Sequence, residues 1–203
     1  RWLQNNYPRI SNNYSEQQLV ELRKQLMREH HELAIDLSEM RRHMLAALAR
    51  EHDYPEQSLV EEGFELFYRM RHQVEFYADV FSALDALKPH YRMGSISNGN
   101  ASAGLTPLHD YLEFYINAAD VMARKPDPAI FSAFCERMDT EPQFCLYVGD
   151  DPVYDVQGAR DVGMRTVWIN RDQRAWPQEM SAADATISDL GELLSLPGIK
   201  SKP

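Results

Sequence analysis

The chain has 203 residues, enough for one sizeable domain or for a core with a small accessory domain. Hydrophobic residues make up 44% and charged residues 26%, and no stretch approaches the roughly 20 uninterrupted apolar residues that span a bilayer, so a membrane partner is not expected. The formal charge of −10 repels phosphate backbones and argues against a nucleic-acid partner, yet it admits a small anionic substrate, because a bound metal inverts the sign locally.

The opening segment, RWLQNNYPRI, is polar and aromatic rather than a basic head before an apolar run, so it does not read as a signal peptide. It starts at Arg1 rather than Met, as in a chain that begins inside a longer gene product. Residues 1–76 show only helical periodicity. Ser15 suits the N-cap of a helix with Leu19, Leu22 and Leu26 on one face. Asp36 or Ser38 would cap the next, which carries Met40, Met44, Leu45 and Leu48. Pro55 opens a third with Leu59, Phe64, Phe67 and Tyr68. This front part reads as a small helical bundle.

From residue 77 to 203 the pattern changes. Short apolar runs, YRMGSIS (91–97), FYINA around residue 116, FCLYVG (144–149) and RTVWIN (165–170), alternate with helical stretches near 79–89, 102–110, 127–138 and 154–163. Such alternation predicts an α/β fold, a parallel sheet covered on both faces. Gly163 suits a helix C-terminus ahead of RTVWIN, and DATISDLGELLSL offers a last short strand and helix. Cys135 and Cys145 form no metal-ligand or redox motif; Cys145, inside FCLYVG, reads as a buried reduced thiol, which suits a cytoplasmic setting.

Ligands of open parallel sheets bind beyond the carboxyl ends of the strands. Three segments there carry chemistry. Ser97-Asn98-Gly99-Asn100 presents a hydroxyl and turning N–H groups that suit a phosphate oxygen, although Asn-Gly is also a common turn. Asp150, Asp151 and Asp155 put three carboxylates within six residues, costly unless a cation or solvent screens them. Mg²⁺ favours such oxygens, and a solvated acidic turn is the plainer alternative. Lys125, ahead of Pro126 and a helix, can hold its ammonium near phosphoryl charge, or can be a surface lysine.

In combination, SISNGN, RKPDPAIF and VGDDPVYDVQGARDVGM resemble the second, third and fourth motifs of the haloacid-dehalogenase-like hydrolases, across roughly residues 77 to 190. The resemblance implies a Rossmann-like parallel sheet core, residues 77–203, with an α-helical cap, residues 1–76. Within the superfamily the sequence is most similar to small bacterial phosphatases of flavin mononucleotide and the riboflavin pathway. It implies a Mg²⁺-dependent phosphatase acting on a small phosphorylated metabolite, such as flavin mononucleotide or a sugar phosphate. Ser97 would hydrogen-bond the phosphoryl group, with Asn98 and Gly99 shaping the loop, and Lys125 would stabilise nucleophile and transition state. Asp150 would ligate Mg²⁺ directly, with Asp151 or Asp155 acting directly or through a metal-bound water. Arg69 and Arg71, ending the last cap helix, are candidates to meet an anionic or planar substrate, or are solvated helix-end cations.

The family's first motif, an Asp-x-Asp at the end of the first strand that supplies the nucleophile and the acid/base of an aspartyl-phosphate mechanism, does not occur ahead of the cap. In this family that strand lies between those ending at Ser97 and Asp150, so the expectation is an upstream segment that carries it. The 203 residues alone are then expected to be inactive. Three rival readings are a metal-free carbon–halogen hydrolase, an inactive scaffold of the same fold and a receiver-like signalling domain, whose lysine would follow the acids along the chain, whereas Lys125 precedes Asp150. The three acids favour phosphate chemistry over the first, and the missing nucleophile is the support for the second.

Overall fold

Local chemistry sets the helical unit, Arg1–Gln73 with Gly99–Ala101, in the computed structural model, which describes residues 1–200. Two short helices, α1 (Trp2–Asn6) and α2 (Pro8–Asn13), divide at Pro8, whose missing N–H is harmless in a first turn. Then α3 (Glu16–Glu29) begins with a capping box, in which the Gln18 N–H donates to Ser15 Oγ and the Ser15 N–H to Gln18 Oε1. Asp36, rather than Ser38, caps α4 (Leu37–Glu51), accepting from the N–H groups of Ser38 and Glu39 at 2.8 and 3.0 Å. Pro55 precedes α5 (Glu56–Arg71). Tyr7, Ile10, Leu26, Met44, Leu45, Leu48 and Leu59 form the buried core of these helices.

The second unit, Val74–Asn98 and residue 102 onward, holds the strands. In chain order it runs α6 (Val80–Leu87), β1 (Gly94–Ser97), β2 (Phe114–Asn117), α7 (Ala118–Val121), α8 (Pro128–Arg137), β3 (Leu146–Gly149), α9 (Gly158–Asp161), β4 (Arg165–Ile169), β5 (Ala185–Ile187) and α10 (Leu190–Leu193). Every strand pair is parallel, and the registers place Ser97 opposite Asn117 and Gly149 opposite Trp168. Alternating strand and helix therefore gives the α/β architecture that periodicity predicts.

Four features differ from expectation in detail. Residues 102–110 form two 3₁₀ turns rather than a helix, split where the Thr106 hydroxyl accepts from the Leu108 N–H ahead of Pro107. The helix expected at 154–163 begins earlier, as a π-helical turn over Pro152–Gln157, and continues into α9. Cys145 is partly exposed, whereas Cys135 is the buried thiol, pushed up to about 12 first by burial and then by Cys145. The strands also fall into two sheets, β1-β2 and β3-β4-β5, instead of one. A cavity of about 550 Å³ opens onto both, lined by Gly94 and Ile96 of β1 and by Leu146 and Val148 of β3. That is the position at which the family resemblance calls for one more strand.

Asp79 ties this unit together. It accepts from Arg171 at 3.1 and 2.7 Å and from the Leu190 N–H at 2.7 Å, joining the start of α6 to the segment after β4 and to α10. The Arg171 hydrogen bonds hold the Asp79 carboxyl below the usual carboxylate range, against the opposing effect of burial.

Candidate active site

Each candidate residue of the sheet unit sits on a segment that leaves the carboxyl end of a strand, or on the loop before α8. Parallel pairing aligns those ends, so three loops separated by tens of residues meet. The join between the first two is reciprocal. The Lys125 N–H donates to Asn98 Oδ1 at 2.7 Å, and Asn98 Nδ2 donates to the Lys125 carbonyl at 2.9 Å. A side-chain amide that satisfies both backbone groups of one residue fixes that residue as a strand ladder would. Asn98 is thus the positioner of Lys125 as well as a member of the Ser97 loop. The Lys125–Pro126 peptide bond is cis.

The join to the third loop runs through the Lys125 side chain. Its ammonium donates to Asp155 Oδ1 at 2.5 Å and to the Tyr147 hydroxyl at 3.1 Å. Tyr147 in turn donates to the same Asp155 oxygen at 3.1 Å, closing a triangle of three polar side chains. Lys125 and Asp155 are 13% and 6% exposed, so this ion pair lies largely out of water. Burial, and after it the Asp155 charge, pushes the Tyr147 phenol far above its ordinary range, so it remains a neutral donor at every physiological pH.

Asp155 has a second task. Its Oδ2 accepts from the N–H groups of Asp150 and Asp151 at 3.1 and 3.0 Å, which shapes the turn after β3. Gly149 is required there because a Cβ would stand 2.4 Å from Asp155 Cβ, inside any allowed contact. The Asp150 carbonyl is fixed from the other side by the indole N–H of buried Trp168 at 3.0 Å and by Arg174 at 2.6 Å. This main-chain clamp leaves the Asp150 carboxylate facing solvent, 79% exposed, with Arg174 Nη2 3.9 Å from Oδ2.

These bonds bear on the choice between Asp151 and Asp155 as the acid that would support Asp150. Both oxygens of Asp155 are committed to Lys125, Tyr147 and two backbone N–H groups, so it braces the site. Asp151 Oδ1 accepts from the Val153 and Tyr154 N–H groups and so caps the helical turn that follows. Among the described residues no three His, Cys, Asp or Glu side chains gather where one ion could touch them all. The donor set that fits Mg²⁺ is smaller: the Asp150 carboxylate, with Asp151 Oδ2 beside it in sequence and free of hydrogen bonds. Mg²⁺ commonly binds through one or two carboxylates while keeping its waters and a substrate phosphate.

Gly99 groups with the helical unit, whose residues 99–101 are held to the start of α4 by the Asn100 amide, 3.2 Å from Ser38 Oγ. Arg69 and Arg71 lie exposed in the last turn of α5, where cations complement the helix dipole, and nothing about Arg71 distinguishes it from a solvated helix-end charge. Tyr147 is the residue that sequence inspection missed. Its alternation with Val148 and Gly149 on β3 was visible, but its partner lies 22 residues away.

The family model of haloacid dehalogenase-like hydrolases matches residues 10–169. The chain belongs to that family of hydrolases. It is 32% identical to a 2-haloacid dehalogenase from Pseudomonas syringae pv. Tomato DC3000, with a TM-score of 0.88 over 96% of this chain and 85% of that one. It is 29% identical over 134 residues to the Escherichia coli (strain K12) 5-amino-6-(5-phospho-D-ribitylamino)uracil phosphatase, covering 64% of this chain and 56% of that protein. It is 31% identical over 134 residues to (S)-2-haloacid dehalogenase 1 of Pseudomonas sp. (strain CBS-3), covering 61% and 58% respectively. The chain thus spans about half the length of such curated relatives. Both phosphatases and dehalogenases stand among them. No helix of the described residues is long and apolar enough to cross a membrane.

Proposed function

We propose that the protein is a Mg²⁺-dependent phosphatase of small phosphorylated metabolites, the substrate class named by relatives such as the Escherichia coli enzyme. The observation that carries this reading is the chain of bonds from Asn98 through Lys125 to Asp155 and the Asp150 backbone. It sets an ammonium between a hydroxyl-bearing strand end and an outward carboxylate, an arrangement suited to neutralising a phosphoryl group rather than to binding a neutral one. Bound Mg²⁺ would supply charge neutralisation and orientation of phosphate oxygens, held by Asp150 with Asp151 in support.

The chain's own residues then do the following. Ser97 donates its hydroxyl to a phosphoryl oxygen. Lys125 keeps its place, because Asp155 and Tyr147 fix the ammonium before substrate arrives, and preorganised charge costs no rearrangement during reaction. Asp155 is not the attacking group, since both of its oxygens are held by Lys125, Tyr147 and two backbone N–H groups.

Carbon–halogen cleavage is the second reading, favoured by the close structural likeness to a 2-haloacid dehalogenase. One assay separates the two. The intact protein, offered phosphorylated metabolites and 2-haloacids with and without Mg²⁺, should release inorganic phosphate only with the metal and should release no halide. Halide release that chelators leave untouched would reverse the assignment.

A further inference from the structure

The segment after β4 brings a second cation to the Asp150 turn, and it is held there as Lys125 is held. The Arg174 N–H donates to Asn170 Oδ1 at 2.9 Å, and Asn170 Nδ2 donates to the Arg174 carbonyl at 2.8 Å. One asparagine amide thus satisfies both backbone groups of one cationic residue, as Asn98 does for Lys125. Between the two residues Gln173 sits at φ +53°, a left-handed conformation that is costly for a residue with a Cβ. The turn so formed sends the side chain back to the third loop. Arg174 Nη2 donates to the Asp150 carbonyl at 2.6 Å and lies 3.9 Å from Oδ2 of the Asp150 carboxylate.

Two other arginines of this unit are spent on the fold. Arg171 gives both ends of its fork to Asp79, at 3.1 and 2.7 Å, and Arg160 gives both of its own to the Ser181 and Ala182 carbonyls. Arg174 commits Nη2 alone. Its Nε and Nη1 donate to nothing among the described residues, and its side chain is 46% exposed beside the outward carboxylate of Asp150. The short bond goes to the main chain and the carboxylate contact is long, so Asp150 places the guanidinium without consuming its fork. A planar fork with open N–H donors matches two oxygens of a phosphoryl group in geometry and in charge.

We propose that Arg174 is a substrate-binding residue of this site, donating its open N–H groups to the phosphoryl oxygens while Asn170 and the Asp150 carbonyl hold it in position. The proposal rests on the phosphatase reading and adds to it a second fixed cation beside Lys125.

The test is calorimetric titration of the intact protein with inorganic phosphate at fixed Mg²⁺, and with Mg²⁺ alone. Tryptophan fluorescence gives a parallel reading, because Trp168 donates to the Asp150 carbonyl at 3.0 Å and meets Trp176 edge-on at 4.9 Å between centroids. Arg174→Gln should need about tenfold to hundredfold more phosphate, the loss expected for charge-assisted hydrogen bonds to an anion. Arg174→Lys, which keeps the charge but not the fork, should fall between parent and Arg174→Gln, and it serves if the glutamine variant does not fold. Mg²⁺ alone should bind both variants at least as well as the parent, since Arg174 is a like charge beside Asp150. Phosphate affinity unchanged in the variants of a responsive parent would overturn the proposal alone. Equal weakening of phosphate and Mg²⁺ would do the same, because it would make Arg174 only a clamp on the main chain. A parent that binds no phosphate at any Mg²⁺ concentration would bring down the phosphatase reading and this proposal with it.

Discussion

Lys125 and Arg41 are both half-buried cations, and the two units of the molecule treat them in opposite ways. Lys125 is met by a buried carboxylate, a neutral phenol and two bonds from one asparagine to its backbone. Arg41 has an aromatic face, a thioether and a second arginine. Taking a charge out of water costs several kcal/mol, on the order of what a well-made pair returns, so an unpaired buried cation opposes folding where a paired one does not. The sheet unit thus carries its charge chemistry already assembled, and the helical unit leaves Arg41 unpaired.

Removing partners should expose this difference, beginning with the largest effect. Asp155→Ala would strand the Lys125 ammonium and two backbone N–H groups, so urea denaturation should show a loss of about 3–5 kcal/mol. Asp79→Ala, which frees Arg171 and the Leu190 N–H, should lose about 2–3 kcal/mol, since both partners are nearer the surface. Because the folded Asp79 carboxyl is held below its unfolded value, its contribution is complete above an unfolded pKa of about 3.9 and disappears as pH falls through the folded one. An acid titration of melting temperature should therefore lose this contribution on the acid side in the parent and not in Asp79→Ala. Tyr147→Phe keeps the Lys125–Asp155 pair and loses the two hydrogen bonds that the phenol makes to it, about 1–2 kcal/mol. Smallest is Arg41→Met, expected to be neutral or stabilising, since a hydrophobe replaces an unpaired buried cation. A loss as large as that of Asp155→Ala would show that Arg41 is a structural anchor and break the contrast.

The parallel α/β core was legible because strand and helix periods are local properties, and Ser97, Asn98, Lys125 and Asp150 stood out as candidates because strand ends concentrate chemistry. What stayed hidden was pairing across distance. Nothing within six residues of Asp155 shows that Lys125, 30 residues earlier, takes one of its oxygens, and so its carboxylate looked available for metal. The acidic run could not reveal which acid would cap, which would brace and which would face outward. At Pro8 and Pro107 the helical pattern of the sequence gave way to backbone constraint, dividing helices that periodicity alone would run together.

The convergence of three loops on one phosphoryl and metal site is tested most directly by phosphate release across a Mg²⁺ titration, in the intact protein and its Asp150→Ala variant. Asp150 makes no side-chain bond that the fold depends on, so the variant should fold as the parent does, with most of its turnover gone and its metal requirement shifted to higher concentration. An Asp150→Ala protein that releases phosphate at the parent rate, with an unchanged Mg²⁺ dependence, would contradict the account.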